Sequence, residues 1–284
     1  MPGMDGVELL ARVRERNPDT VRMLLTGHVD LESAIEAVNQ GYIFRLLTKP
    51  CPADVLEKAL TAGLEQYRLV RAGRELEGLR RLKQAMEGVI AGFSTLVERR
   101  DPYTAGHQRR VTRLACAMAE ALGLEEERVD ALRMAGMVHD IGKLYVPSDF
   151  LNKPGTLSPE EFSVIKHHPA TGADVLQSVD FQWPISSIVR QHHERVDGSG
   201  YPDGLAGEDI VPEARILAVA DVVDAMSSHR PYRPSLGMDA ALQAVLDGRG
   251  TLFEPRSVDV CLRLIRDQGF RLDEDDAGEP SASP

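Results

Sequence analysis

Seven of the eight histidines of this 284-residue chain lie between positions 107 and 229, and their spacing constrains the fold more than any other feature. The candidate sites are His107, His139-Asp140, His168, His192-His193 and Asp221, with successive gaps of 32, 29, 24 and 29 residues. Each gap has room for one helix and a return connection, so successive helices of a bundle can deliver ligands to one centre. His107 precedes Val111, Leu114 and Met118 on an apolar stripe, and His139 follows Leu132 and Gly136. His168 stands three after Ile165, His192 follows Ile185 and Ile188, and His193 follows Val189 by four. Asp221 lies within Ile216–Ala225, a run apolar on every side of a helix and therefore buried. A carboxylate there requires a cationic partner. A lone inward histidine is ordinarily a hydrogen-bonded core residue. Seven inward ligand-type residues point instead to metal, and they exceed the need of a single ion. Two divalent metal ions are expected, iron or manganese, with zinc, nickel or magnesium as alternatives. His28, His167 and His229 are left over.

Composition narrows the partners. Thirty-three Lys+Arg against 44 Asp+Glu give a net charge of −11, and aromatic residues make up only 5%. Neither favours DNA binding, which draws on clustered cations and stacking rings. No apolar run approaches the roughly 20 residues that span a bilayer, and no signal peptide opens the chain. Cys51, Cys116 and Cys261 are odd in number and far apart, so a reduced, cytoplasmic protein is expected.

The first sixty residues alternate helix and strand: helix over 7–16, strand over 21–26, helix over 31–39, strand over 42–47. Such alternation implies a parallel sheet, for which two strands are too few. Met1-Pro-Gly-Met-Asp-Gly6, Thr26 at a strand end and Lys49-Pro50 together resemble the receiver domain of two-component response regulators. That resemblance implies an acceptor aspartate just upstream of Met-Pro, which this sequence lacks; Asp5 occupies a turn position. A partial receiver over 1–55 without a phosphoacceptor is therefore expected, and its open strand edges favour aggregation. A fragment starting near residue 85 should be more soluble and still active.

Over 56–98, leucines recur at three and four residues, which reads as a long linker helix with an apolar stripe. A homodimeric coiled coil is expected there, although Gly63, Gly73, Gly78, Gly88 and Gly92 weaken it. Residues 99–268 read as all helix. Asp101-Pro102 looks like an N-cap and first helical proline, Ser158-Pro-Glu-Glu161 like a capping box, and Pro184 and Pro212 open further helices. An acidic, disordered tail follows over 269–284. The fold class is mainly α: a helical metal-binding bundle preceded by an α/β remnant and a linker helix.

His139-Asp-Ile-Gly-Lys143, His192-His-Glu-Arg-Val-Asp-Gly-Ser-Gly-Tyr-Pro202 and Asp221-Val-Val-Asp-Ala-Met with Arg230-Pro-Tyr-Arg233 together resemble the HD-GYP domains of the HD superfamily. The resemblance implies a cyclic di-GMP phosphodiesterase releasing pGpG, with GMP as the product of any second cleavage. It implies His107, His139, Asp140, His168, His192, His193 and Asp221 as metal ligands, with Asp140 between the two ions. It also implies Asp140 and Lys143 as catalytic, with Lys143, Gly200, Tyr201, Arg230 and Arg233 on the substrate. Some members carry glutamate four residues before the first histidine and hold a third metal; Tyr103 stands there, so a dinuclear site is expected. Phe253-Glu-Pro255 replaces the family's usual Phe-Asp-Pro. Close metal pairs acidify water and stabilise phosphoryl charge, and arginine forks suit phosphate. Three alternatives remain: a non-catalytic cyclic-dinucleotide sensor, a hydrolase of another cyclic dinucleotide, and an adaptor for diguanylate cyclase (GGDEF) domains.

Overall fold

The computed structural model describes residues 6–27, 43–101, 106–153, 155–228 and 235–272. They divide into two compact units between Met86 and Glu87. In the first, helix α1 (Gly6–Arg16) precedes strands β1 (Met23–Thr26) and β2 (Arg45–Thr48), which pair in parallel with Met23 opposite Arg45 and Thr26 opposite Thr48. The helix expected over 31–39 and Tyr42 lie outside the described residues. Helix α2 (Ala53–Arg100) is continuous, and its Arg74 pairs with Asp19. The isolated glycines within it cost helix propensity but remove no backbone hydrogen bond, so they do not break it.

The second unit is built of helices, with two isolated β-bridges, Asp197–Ala206 and Arg249–Phe253, and no strand among its described residues. Helices α3 (His107–Ala121), α4 (Glu126–Val138), α5 (Ser148–Leu151), α6 (Pro159–Ile165), α7 (His168–Leu176) and α8 (Ile185–Gln191) come first. Then follow α9 (Pro212–Ser227), α10 (Met238–Asp247) and α11 (Pro255–Leu262). Helix α9 is the axis of the bundle: Ile216, Leu217, Val219, Ala220 and Val223 are all buried, because a helix apolar on every side can satisfy itself only when surrounded. Its neighbours contribute Val111, Leu114 and Met118 from α3 and Leu132 and Ala135 from α4. Pro212 sits in the first turn of α9, where its missing N–H costs nothing. The capping box at α6 forms as the residues suggest, with Glu161 N–H donating to Ser158 Oγ and Ser158 N–H donating to Glu161 Oε2.

Asp101 N–H donates to Val97 O at the end of α2, and α3 begins at His107, after Gly106 in a left-handed conformation; Pro102, where the sequence places a helix start, lies outside the described residues. The Asp101 side chain is buried 3.4 Å from Lys143 Nζ, a tertiary contact that an Asp-Pro dipeptide does not reveal.

A tight contact brings two segments of the future site together. After α4, a 3₁₀ turn (Ile141–Tyr145) lies against the start of α7, where a Cβ on Gly142 would fall 1.9 Å from His168 O and 2.7 Å from Gly172 N. Only backbone fits. Gly142→Ala should therefore lower stability by about 3 kcal/mol, the upper end of the overpacking range, because backbone atoms cannot step aside as a rotamer can. Urea unfolding of the two forms measures it.

Candidate metal centre

Every α-helix leaves its last carbonyls without a partner, and this protein gives three of them to histidines. His139 directly follows α4 and bonds through Nδ1 to Gly136 O at 2.7 Å. His192 directly follows α8 and bonds Val189 O at 2.6 Å. His168 opens α7 and bonds Ile165 O, the last residue of α6, at 2.7 Å. A carbonyl oxygen only accepts, so each Nδ1 carries the hydrogen and each Nε2 presents a bare lone pair. These histidines thus stand at helix ends, where periodicity had suggested helix faces. The reason is that a terminal position offers a spare acceptor to orient the ring.

His107 opens α3, a helix start with no spare carbonyl. Its Nδ1 bonds instead to Asp224 Oδ2 at 2.6 Å, and its Nε2 lies 3.2 Å from Asp221 Oδ1. Arg110 fixes Asp224, donating from Nε to Oδ1 at 2.6 Å and from Nη2 to Oδ2 at 3.1 Å. Asp140 sits amid the rings, with Oδ1 3.2 Å from His168 Nε2, and Oδ2 3.6 Å from His139 Nε2 and 3.9 Å from His107 Nε2. Lys143 Nζ donates to Asp140 Oδ2 at 2.8 Å. His193 stands beside His192 with ring centres 4.1 Å apart, and its Nδ1 is 3.8 Å from Asp221 Oδ2.

The electrostatics follow from burial. Desolvation pushes the Asp140 carboxyl up, but Lys143, His139 and His168 outweigh it and hold it well below the usual carboxylate range. Asp221 is likewise held low against burial by His107 and His193. Burial, reinforced by neighbouring rings, pushes His192 down to about 3 and His193 well below its ordinary value. His107 alone moves upward, to about 9, because Asp221 and Asp224 together overcome its desolvation.

Donor chemistry and geometry fit divalent cations. Three triads, His168/His192/His193, His107/His139/Asp221 and His139/Asp140/His192, each gather their ligand atoms within 4.8 Å of one another. Two details test the fit. His139 Nε2 is buried with no hydrogen-bond partner. His168 Nε2 and His192 Nε2 face each other at 3.4 Å, although both Nδ1 atoms already carry the hydrogens. Opposed lone pairs in a dry site are unfavourable, and a shared Lewis acid relieves them.

The centre floors a cavity of about 730 Å³, with Lys143 on one side and Phe150, Leu157, Phe162 and Tyr201 forming apolar walls. Tyr201 lies over His193, ring centres 4.8 Å apart. Its loop is hung on Glu194, a buried residue whose carboxylate accepts the N–H groups of Asp203, Gly204 and Leu205 at 2.7, 3.1 and 3.0 Å. Gly200 packs on the chain of the same motif, where a Cβ would meet Arg195 N and Glu194 Cα at 2.4 Å, and it stands outside the cavity lining. Tyr103, Arg230 and Arg233 lie outside the described residues, as do His28 and His229. Glu254, in the Phe-Glu-Pro segment, accepts from Arg215 at 2.7 Å and Ser257 at 2.6 Å, away from the cavity.

Asp224, Arg110 and Glu194 escaped the sequence reading. The only signal for Asp224 was its place one turn beyond Asp221, and for Arg110 its place one turn beyond His107. Removing Glu194 should strand three loop N–H groups. Glu194→Ala is expected to destabilise the loop by roughly 3 kcal/mol and to speed amide exchange at 203–205 about a hundredfold, read by hydrogen–deuterium exchange.

Residues 92–256 match the HD domain family and residues 1–61 the response regulator receiver domain. The chain is 38% identical over 276 residues to the cyclic di-GMP phosphodiesterase response regulator RpfG of Xanthomonas campestris, covering 93% of this chain and 73% of that one. It is 32% identical over 288 residues to a cyclic di-GMP phosphodiesterase of Thermotoga maritima, covering 94% and 77%. It is 40% identical over 150 residues to 3'3'-cGAMP-specific phosphodiesterase 1 of Vibrio cholerae, covering 53% and 35%.

Proposed function

Because the chain belongs to the HD domain family and carries receiver-domain sequence ahead of it, we propose that it is a metal-dependent phosphodiesterase that hydrolyses cyclic di-GMP in two-component signalling. The observation that carries this is the convergence of His107, His139, Asp140, His168, His192, His193 and Asp221 beneath one cavity, with Nε2 lone pairs turned toward each other. Its likeness over most of its length to two cyclic di-GMP phosphodiesterases supports the substrate.

In this reading His168, His192 and His193 hold one cation, and His107, His139 and Asp221 the other. Asp140, which lies among the rings of both sets, would contribute its carboxylate to the pair. Iron or manganese suits this imidazole-rich set, with zinc, nickel or magnesium less favoured. Bound cations supply Lewis acidity, polarising phosphoryl oxygens and lowering the pKa of water. Lys143 keeps Asp140 ionised and offers its ammonium to a phosphate oxygen. Tyr201, held by the Glu194 loop, borders the nucleotide, with Gly200 shaping the chain beside it by its close approach to Glu194 and Arg195, while Arg230 and Arg233 offer guanidinium forks to its phosphates. The product is pGpG, or GMP where a second cleavage follows.

Anaerobic purification, metal analysis and turnover of cyclic di-GMP with added Mn(II) or Fe(II) test the reading. About two metals per chain and pGpG release are expected, and Asp140→Ala should lose metal and cut turnover at least roughly a hundredfold, the loss of several kcal/mol of charge stabilisation. Metal without turnover would overturn the enzyme reading in favour of a sensor. The 40% identity to a cGAMP-specific relative favours one second reading, a mixed cyclic dinucleotide as substrate. The two nucleotides should be compared by kcat/KM.

The same proposal includes partners. No helix among the described residues is long and apolar enough to cross a membrane. A nucleotide substrate and three free cysteines suit the cytoplasm. Diguanylate cyclase domain proteins are candidate partners. On α2, Leu79, Leu82, Met86, Val89, Phe93 and Leu96 repeat at alternating steps of three and four, each between 44% and 64% exposed. That is the a/d seam of a coiled coil, and a second copy of the chain would cover it. Sedimentation should give a dimer that Leu82→Glu with Val89→Glu converts to monomer.

A further inference from the structure

Three of the four histidines with an engaged Nδ1 in the buried centre are oriented by neutral carbonyls, and one by a charge. The exception, His107, belongs to a four-residue square across two helices. Helix α3 contributes His107 and, one turn later, Arg110; helix α9 contributes Asp221 and, one turn later, Asp224. His107 joins both aspartates, one through each ring nitrogen. Arg110 closes the square on Asp224 through two nitrogens, and its Nη2 also donates to Ser228 Oγ at 3.1 Å, which itself lies 3.4 Å from Asp224 Oδ1.

Asp224 is fully buried. A buried carboxylate paired with a half-buried guanidinium is costly to desolvate, and apolar residues of the same volume would hold two helices together at least as well. The square does something that a carbonyl does not. A carboxylate behind an imidazole carries a full negative charge, which raises the basicity of the opposite nitrogen and locks the tautomer. The Arg110 fork fixes both carboxylate oxygens and so fixes the plane of the ring. In the His168/His192/His193 triad, His168 and His192 are backed by carbonyls, and the carboxylates near the triad among the described residues, Asp140 and Asp221, lie on the ligand side.

We infer that Asp224, clamped by Arg110, is a positioning residue that makes the two halves of the centre unequal, setting cation affinity at the His107/Asp221 half and not at the His168/His192/His193 half. The inference rests on the metal-dependent reading above. It predicts two classes of site in one chain, with the Asp224-backed class the one that responds to substitution behind its histidine.

The test is a titration of the metal-stripped full-length chain with Mn(II), reading free ion by electron paramagnetic resonance, alongside thermal melts of the metal-free forms. The wild-type chain should bind about two ions. Asp224→Asn keeps size and a hydrogen-bond acceptor but removes the charge. It should weaken one class 10- to 100-fold, the usual effect of losing a partner behind a metal-bound histidine, and leave the other within about twofold. His192→Ala should do the reverse. Arg110→Lys, which keeps the charge and loses the fork, should weaken the same class as Asp224→Asn by a smaller factor, and it carries the test if the asparagine variant does not fold. Unchanged binding in these variants would overturn the inference. So would equal weakening of both classes with a lowered metal-free melting temperature, the result for a strut between α3 and α9. A wild-type chain that binds no Mn(II) would instead sink the metal-dependent reading itself.

Discussion

The structure depends on the hydrogen bond between an imidazole Nδ1 and a helix-terminal carbonyl. A ring rotating about two side-chain torsions points its second nitrogen in no fixed direction. Once Nδ1 donates to Gly136, Ile165 or Val189, that freedom is gone, and Nε2 must face inward. The rest of the fold can be read as the means of bringing those helix ends to one place. Helix α9 provides the apolar axis, Gly142 lets the His139–Lys143 turn meet α7, and Glu194 folds the loop bearing Tyr201 over His193.

The same interactions explain the dryness of the centre. The rings of His139, His168 and His192 are almost wholly excluded from water. Burial suppresses imidazolium at His139 and His192, while the carboxylates of Asp140 and Asp221 stay ionised through their cationic and imidazole neighbours. Neutral nitrogen and anionic oxygen side by side is the electronic state that a divalent ion requires of its ligands. The fold prepares it by desolvation and pairing alone.

Much of this was legible in the residues. The spacing from His107 to Asp221 implied a common centre, and the structure brings all seven side chains together. Ser158 with Glu161 and Pro212 marked their helix starts, since capping is local chemistry. What stayed hidden was tertiary. Periodicity reports faces, so it could not reveal that His139 and His192 stand just past helix ends. Asp224 meets His107 across 117 residues, and only the crossing of α3 with α9 makes that contact. The contact of Asp101 with Lys143, 42 residues on, was equally out of reach of a local motif. In the sequence Gly200 reads as a substrate neighbour and Gly142 only as part of its motif; their close approach to other backbone exists only in the folded chain.

That 117-residue separation has a temporal meaning. Contacts distant along the chain form last, after the entropy of closing the intervening loop has been met by local structure. The helices that carry the ligands can each nucleate from their own caps and apolar stripes, but the square of His107, Arg110, Asp221 and Asp224 closes only when the first and last of them dock. An ion meeting the nascent chain would find isolated histidines; one meeting the finished bundle finds the whole set. The complete ligand set thus exists only once the bundle has closed.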